Sequence, residues 1–176
     1  MKKILLALFI TAATVFYAAA QSKVTPQLSF AFEAGLPTGQ ASSVYNAIFG
    51  GSVKAEFPVK TSQFSITATA GYSSFLVKTI YSGYITNGNY VPIELGGKYF
   101  FSKIGYVEGD AGTSINVNGN YTGTSTAFIY APSVGVVAPT KNHKASVDLN
   151  IRYEGRVETG GTVSQIALRI AYRFGI

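Results

Sequence analysis

Apolar and polar residues alternate along most of this chain, and the pattern is clearest in its last stretch. Every second position there is apolar, at Ile166, Leu168, Ile170, Tyr172 and Phe174, and two arginines lie between them. Successive side chains of a β-strand point to opposite faces, so the pattern predicts a strand with one apolar and one polar face. A soluble barrel would bury the apolar face, whereas a barrel in lipid would turn it outward.

The same period of two predicts seven further strands. They cover residues 28–36, 45–57, 64–72, 91–99, 107–115, 128–136 and 146–153. The sixth contains Pro132, which lacks an amide hydrogen and therefore predicts an irregularity in the ladder. No helical period competes with the alternation after residue 21, so the chain is predicted to be all-β.

The connections between these strands alternate in length. The segments after strands two, four and six are short ("VKTSQ", "FSKIG", "APTKNHK"), and those after strands one, three and five are longer and rich in Gly, Asn, Ser and Thr. Barrels of the outer membrane have short periplasmic turns and longer extracellular loops. The layout therefore predicts an eight-stranded antiparallel up-and-down transmembrane β-barrel.

The N-terminal segment differs from the rest of the chain. "MKKILLALFITAATVFYAAA" carries two lysines, an apolar run and small residues before Gln21. This is typical of a cleavable signal peptide over residues 1–20, with cleavage between Ala20 and Gln21. A transmembrane helix is disfavoured because threonines interrupt the run and no basic flank follows it. Residues 21–176 are then expected to form one outer-membrane barrel domain.

Composition excludes several classes of function. The chain has no cysteine, so neither disulfides nor thiolate metal sites are expected. Its formal net charge of +6 is not gathered into any Lys/Arg run, so no nucleic-acid partner is predicted. No segment after residue 21 approaches ~20 continuous apolar residues, so a membrane location would require a barrel.

Charge changes the picture further, because it concentrates on the polar strand face while the long loops are almost uncharged. Small residues fill the rest of that face, as a narrow lumen requires. Aromatic residues recur near the ends of the apolar stripes, which is typical of girdles at membrane interfaces. We therefore assign the polar face to the lumen. The predicted lumen charge network comprises Glu33, Lys54, Glu56, Glu94, Lys98, Glu108, Asp110, Asp148, Arg152, Arg169 and Arg173.

Three stretches, "VPIELGGKYFF", "VDLNIRYEG" and the terminal "LRIAYRF", carry a resemblance to a known family. The chain resembles the small outer-membrane β-barrel proteins of Gram-negative bacteria, the OmpA-barrel and OmpX-like group. The resemblance implies an outer-membrane location. It also implies that Ile170, Tyr172 and Phe174 form a C-terminal signal for the barrel assembly machinery. It is weak for function, because such barrels host adhesins, lipid enzymes, small channels and structural proteins.

Catalysis is not expected from this sequence. The one histidine, His143, falls in a predicted short turn, and no nucleophile–base pair is apparent. Glu108 and Asp110 lie two apart on one face and could form an acid–base pair or a cation site, although partnership with lumen bases is the preferred interpretation. No metal or cofactor is predicted.

Three functional hypotheses remain. The preferred one is a structural or surface-interaction barrel with a largely closed lumen, acting through its extracellular loops. The alternatives are a small ion or solute channel and a soluble exported carrier of the lipocalin type. The expected partners are outer-membrane lipid, the assembly machinery and a surface partner of unknown identity, and the protein is expected to be a monomer.

Overall fold

The computed structural model is a closed barrel of eight antiparallel strands, each paired with its neighbours in sequence, with the first and last strands also paired. It describes residues 25–60, 62–81, 83–118, 125–140, 145–158 and 160–176. The predicted signal peptide with its Ala20–Gln21 cleavage site lies outside these residues, as does His143. The strands are β1 (Gln27–Thr38), β2 (Tyr45–Pro58), β3 (Phe64–Val77), β4 (Gly88–Phe100), β5 (Gly105–Asn116), β6 (Thr126–Pro139), β7 (Ala145–Glu158) and β8 (Gly161–Gly175).

The predicted all-β, eight-stranded up-and-down barrel is confirmed. Most strands extend beyond the alternating stretch that revealed them, because ladder pairing continues into polar sequence. In β8, for example, Ser164 pairs with Thr38 and Gln165 with Pro37 of β1, ahead of the first apolar residue of the pattern. Alternation therefore locates the two-faced part of each strand, and pairing with neighbours sets its ends.

Connections of different length collect at the two ends of the barrel. The described residues of segments 59–63, 101–104 and 140–144 lie at what we call the short-turn end, together with the start of β1 and the end of β8. The described residues of segments 39–44, 78–87, 117–125 and 159–160 lie at the long-loop end, where α1 (Ala41–Val44) and a 3-10 helix (Thr79–Tyr81) occur. No helix among the described residues is long and apolar enough to cross a membrane.

The two faces of the barrel wall have opposite chemistry. Outward-facing Phe30, Leu95 and Ile151 are 52%, 67% and 56% exposed, whereas inward-facing Lys98 and Arg169 are 1% and 0% exposed. Long charged side chains are rarely buried in a soluble protein, and large apolar ones rarely cover its surface. The barrel therefore has the reverse of the usual distribution, with its polar groups inside.

The lumen is narrow enough that some inward positions must lack a side chain. A Cβ at Gly96 would clash with a carboxylate oxygen of Asp110 and approach the hydroxyl oxygen of Thr67 at 2.7 Å. An eight-stranded barrel leaves just enough interior space for side chains to fill. Glycine at position 96 thus makes room for the aspartate opposite.

Two prolines interrupt the ladders of the wall. β6 pairs with β7 up to Tyr130 and again from Ser133, leaving Ala131 and Pro132 unpaired on that side. Pro92 interrupts the pairing of β4 with β3 in the same way. The register is the same on both sides of each interruption, so the irregularity predicted at Pro132 is a gap in the ladder, caused by the missing amide hydrogen.

One aromatic residue lies on the face opposite to its predicted one. The alternation in β2 puts Tyr45 on the outward face, but Tyr45 and Ala47 pair with consecutive residues of β3, so Asn46 is an extra residue. Such a bulge shifts the alternation by one residue, so side chains beyond it point to the opposite face. Tyr45 instead packs against the inward-facing Phe75, with ring centroids 5.4 Å apart.

Candidate functional site

Charged side chains occupy the lumen along most of its length. The structure places every residue of the predicted charge network on the inward face, at positions that alternate with outward apolar ones. Glu33 and Arg173 are the least enclosed of them, with 14% and 15% of their side chains exposed. Most of the ion pairs belong to three clusters, described below from the short-turn end upward.

The first cluster is centred on Lys98 of β4. Its Nζ lies 3.0 Å from Glu56 Oε2 and 3.2 Å from Asp148 Oδ2, and 4.1 Å from the ring centroid of Tyr106. Arg173 Nη2 donates to Glu56 Oε1 at 2.8 Å. The hydroxyl of Tyr106 donates to Asp148 Oδ1. Ion pairing and a cation–π contact together replace the water that the ammonium group has lost.

The second cluster lies above the first and is centred on Lys54 of β2. Lys54 Nζ contacts Glu108 Oε1 and lies 3.3 Å from Asp110 Oδ2. Thr67 Oγ1 donates to the other oxygen of Asp110 at 2.9 Å. Glu108 also lies 3.6 Å from Lys98 Nζ, which joins the two clusters. The two carboxylates that the sequence left open as an acid–base pair therefore share a lysine.

The third cluster surrounds Arg152 of β7. Its Nη2 donates to both oxygens of Glu94, at 2.9 and 3.0 Å, and lies 3.2 Å from Glu154 Oε2. Its Nη1 lies 3.8 Å from Glu33 Oε2, and Glu33 in turn lies 3.4 Å from Arg169 Nε. One guanidinium thus holds carboxylates from three strands, a role suited to its planar set of donors.

Some participants were missing from the predicted network. Glu154 accepts a hydrogen bond from Gln165 at 2.9 Å, and Arg156 contacts Glu158. The guanidinium carbon of Arg156 lies 3.3 Å from the ring centroid of Tyr90. Both Glu154 and Arg156 continue the inward alternation of β7, so the same pattern that located Arg152 contained the signal for them.

An apolar cluster occupies the lumen at the long-loop end. Ile48, Phe75 and Tyr90 are 2%, 2% and 1% exposed, and Tyr45 and Val163 pack against them. The rings of Phe75 and Tyr90 meet edge to face with centroids 5.3 Å apart. Sequence reasoning missed this cluster because it assigned the inward face to polar residues throughout.

Every inward-facing lysine and arginine of the described strands has a carboxylate within 4.0 Å. Such pairing is what buried charges require, since desolvating an unpaired ion is expensive. Among the described ranges, no group of His, Cys, Asp or Glu side chains is arranged to hold a metal ion. Chemically, the arrangement gives each of these buried bases at least one carboxylate partner.

The residues of the predicted C-terminal signal lie on the outer face of β8. Ile170 and Tyr172 are 46% and 55% exposed. Phe174 stacks on Phe30 of β1, with ring centroids 6.1 Å apart. Their recognition by an assembly machinery stays a prediction.

Comparison with solved structures finds barrels of similar size. The crystal structure of Neisserial surface protein A has a TM-score of 0.59 at 14% identity, with 86% of this chain and 96% of that chain covered. The crystal structure of Ail, the attachment invasion locus protein of Yersinia pestis, has a TM-score of 0.56 at 11% identity, with 85% of this chain and 99% of that chain covered. The chain shares the fold of small outer-membrane barrels. No family model and no curated protein matches its sequence.

A third similar structure limits what the fold implies. The outer membrane enzyme PagL has a TM-score of 0.52 at 13% identity, with 84% of this chain and 99% of that chain covered. The same fold thus occurs in a surface protein and in an enzyme. The shared architecture alone assigns no activity to this chain, so its function must be argued from its own residues.

Proposed function

We propose that this protein is an integral outer-membrane barrel of a Gram-negative bacterium, with a closed lumen and a structural or surface-interaction role exercised through its long-loop end. The distribution of apolar and charged side chains on the barrel wall supports the membrane location. Apolar side chains cover its outer face and charges line its inner face. In water such an apolar belt would favour association, whereas hydrocarbon solvates it. Closure of the barrel also pairs each strand with a neighbour on both sides, apart from the ladder gaps at Pro92 and Pro132, as lipid requires.

Aromatic side chains near both ends of the wall support the same assignment. Phe64 and Tyr99, with ring centroids 4.8 Å apart, lie toward the short-turn end. Phe128, Tyr130 and Tyr153 form a row toward the long-loop end, with successive centroids 6.4 and 6.2 Å apart. Two such belts suit the two interfaces of a bilayer.

The observation that carries the closed lumen is that ion pairs cross it. Arg152 of β7 reaches Glu94 of β4, and Lys98 of β4 reaches Asp148 of β7. These strands are not neighbours in the barrel, so both pairs span the axis. An ion entering from either end would have to separate buried opposite charges, which is costly. We therefore favour a plugged barrel over a channel.

Conductance and fractionation test this proposal. The protein should enter the outer-membrane fraction, require detergent for extraction, and migrate differently on a gel before and after heating. In planar bilayers it should show rare, small openings or none. Large, steady openings of the unmodified protein would favour the channel alternative. Recovery from the periplasm without detergent would favour the carrier alternative.

The long-loop end supports the proposed surface role because it exposes apolar side chains beyond the wall. Ile80 and Tyr84 of segment 78–87 are 73% and 91% exposed. The absence of cysteine allows its orientation to be tested with single cysteines. On intact cells, a membrane-impermeant maleimide should label Tyr84→Cys but not Lys60→Cys at the short-turn end. Both variants should be labelled after lysis, and the reverse pattern on intact cells would contradict the proposed orientation.

A further inference from the structure

Carboxylates outnumber bases in the three clusters of the described lumen. The acids are Glu33, Glu56, Glu94, Glu108, Asp110, Asp148 and Glu154, and the bases are Lys54, Lys98, Arg152, Arg169 and Arg173. The pair of Arg156 with Glu158 adds one charge of each sign. We propose that Glu94 and Glu154 share a bound proton, which makes the stability of the closed lumen sensitive to pH.

In the first two clusters each carboxylate faces at least two separate donor groups. Glu108 lies between Lys54 and Lys98. Asp110 contacts Lys54 and accepts a hydrogen bond from Thr67 at 2.9 Å. Since these donors come from different strands, they stabilise the ionised carboxylates from more than one direction. An additional proton is not required there.

Glu94 and Glu154 are held differently, because their ion pairs go to a single nitrogen atom. Arg152 Nη2 lies 2.9 Å from Glu94 Oε1 and 3.2 Å from Glu154 Oε2. The two carboxylates are therefore close neighbours, and the residues are only 2% and 6% exposed. Neighbouring carboxylates that share one positive charge away from water repel each other, which favours protonation of one of them.

Gln165 offers an acceptor for that proton. Its Nε2 donates to Glu154 Oε1 at 2.9 Å, whereas its Oε1 is buried and has no hydrogen-bond partner among the described residues. The residue is 3% exposed. An ionised carboxylate has no hydrogen to donate to that oxygen, but a protonated carboxyl group does. The hydroxyl of Thr69, which pairs with Glu94 in the β3–β4 ladder, is likewise buried and without a partner in the described chain.

The other charges around the pair come from five strands. They are Glu33 of β1, Lys54 of β2, Asp110 of β5, Arg156 of β7 and Arg169 of β8. The inward faces of β3 and β6, which are described throughout, carry no charged side chain. Each base of this set already contacts another carboxylate. The pair therefore has Arg152 alone as its direct counter-charge.

The bound proton links stability to pH. Above about pH 6 the glutamates of the unfolded chain are ionised, so only the folded state holds the extra proton. Stability is then greatest at the acid end of the range from pH 6 to about pH 9, and it falls as the pair loses its proton. One proton changes the unfolding equilibrium constant by up to about tenfold per pH unit.

Urea unfolding of the refolded barrel in zwitterionic phospholipid vesicles, measured across this pH range, tests the site. Every protein compared carries His143→Gln, because histidine titrates in the same range. We expect the unfolding constant of this parent protein to rise with pH, by nearly tenfold per unit at the steepest point. Glu154→Gln resembles the protonated acid in shape, so it should remove most of the rise and be more stable than the parent at the alkaline end.

Asp148→Asn is the matched control, since it makes the equivalent change in the first cluster. It should lower stability throughout the range and leave the pH dependence of the parent intact. A pH dependence that is the same in Glu154→Gln and in the parent would overturn the proposal. Equal flattening of the pH dependence in Asp148→Asn would also overturn it, because the effect would then belong to lumen acids in general.

Infrared spectroscopy of the folded parent tests the proton without relying on a variant. A protonated carboxyl group has a carbonyl band distinct from that of a carboxylate, and we expect this band at neutral pH and its loss at the alkaline end. Absence of the band at neutral pH would refute the bound proton, and its persistence in folded Glu154→Gln would refute the assignment to this pair.

The bound proton rests on the closed lumen of the proposed function, since water in an open channel would solvate both carboxylates. The two proposals fail differently. A barrel that does not conduct and lacks the infrared band would refute the proton site alone. Large, steady conductance would refute the closed lumen, whatever the spectrum.

Discussion

Replacing Ile151 with arginine tests the most consequential assignment, that the outer wall lies in hydrocarbon. Ile151 is midway along β7, is 56% exposed, and pairs with Val134 of β6 and Leu168 of β8. Its outward side chain is therefore surrounded by other apolar side chains at the middle of the wall. An arginine there could not readily reach either end of the barrel.

The expected cost follows from this position. Arginine on the lipid face near the bilayer midplane destabilises a barrel by ~2–4 kcal/mol. Since each 1.4 kcal/mol is a factor of ten, the ratio of folded to unfolded protein should fall by roughly 30- to 700-fold. In water, an exposed surface substitution of this kind would change stability by only ~0.5 kcal/mol. The two environments thus predict clearly different magnitudes.

Equilibrium unfolding by urea in phospholipid vesicles measures the difference. Ile80→Arg is the matched control, because it makes the same substitution at a residue that is 73% exposed but lies in segment 78–87 at the long-loop end. It should cost about 0–1 kcal/mol. Free energies of unfolding that agree within about 0.5 kcal/mol for the two variants would refute the placement of Ile151 in lipid.

Three further variants probe the lumen and the terminal strand. Arg169→Met removes one of the two arginines that face Glu33 and should cost ~1–3 kcal/mol in urea unfolding, and a cost below ~0.5 kcal/mol would contradict the pairing. Tyr106→Phe removes the hydroxyl that donates to Asp148 and should cost ~1–3 kcal/mol in the same assay, whereas an unchanged midpoint would argue against that bond. Tyr172→Ala combined with Phe174→Ala should sharply lower the amount of folded barrel in outer membranes, and unchanged levels on heat-dependent gels would disprove an assembly role.

The strands and their facing were accessible from sequence because the side-chain period of a strand is two. Partners across the lumen were not accessible in the same way. Lys54 and Glu108 are separated by 54 residues and lie on strands that are not neighbours. Their meeting depends on the register of every ladder between them, and alternation does not distinguish registers that differ by two residues.

The apolar cluster at the long-loop end shows a second limit. The period of two, continued along β3 and β4, assigns Phe75 and Tyr90 to the inward face. The general expectation that this face is polar conceals them. For Tyr45 the alternation itself is shifted by one residue, because Asn46 is inserted between two paired residues. Bulges of this kind have no reliable signature in a single sequence. The face to which a side chain points is therefore most easily misassigned near the end of a strand.

The ladder gaps at Pro92 and Pro132 lie on the two sides of one group of strands, β4, β5 and β6, where that group meets β3 and β7. Backbone pairing continues above and below each gap, so each gap weakens only a short stretch of the wall. The Arg152–Glu94 and Lys98–Asp148 pairs connect β7 to β4 through the lumen. These ion pairs therefore act as internal crosslinks between the same two parts of the wall whose backbone pairing is locally interrupted.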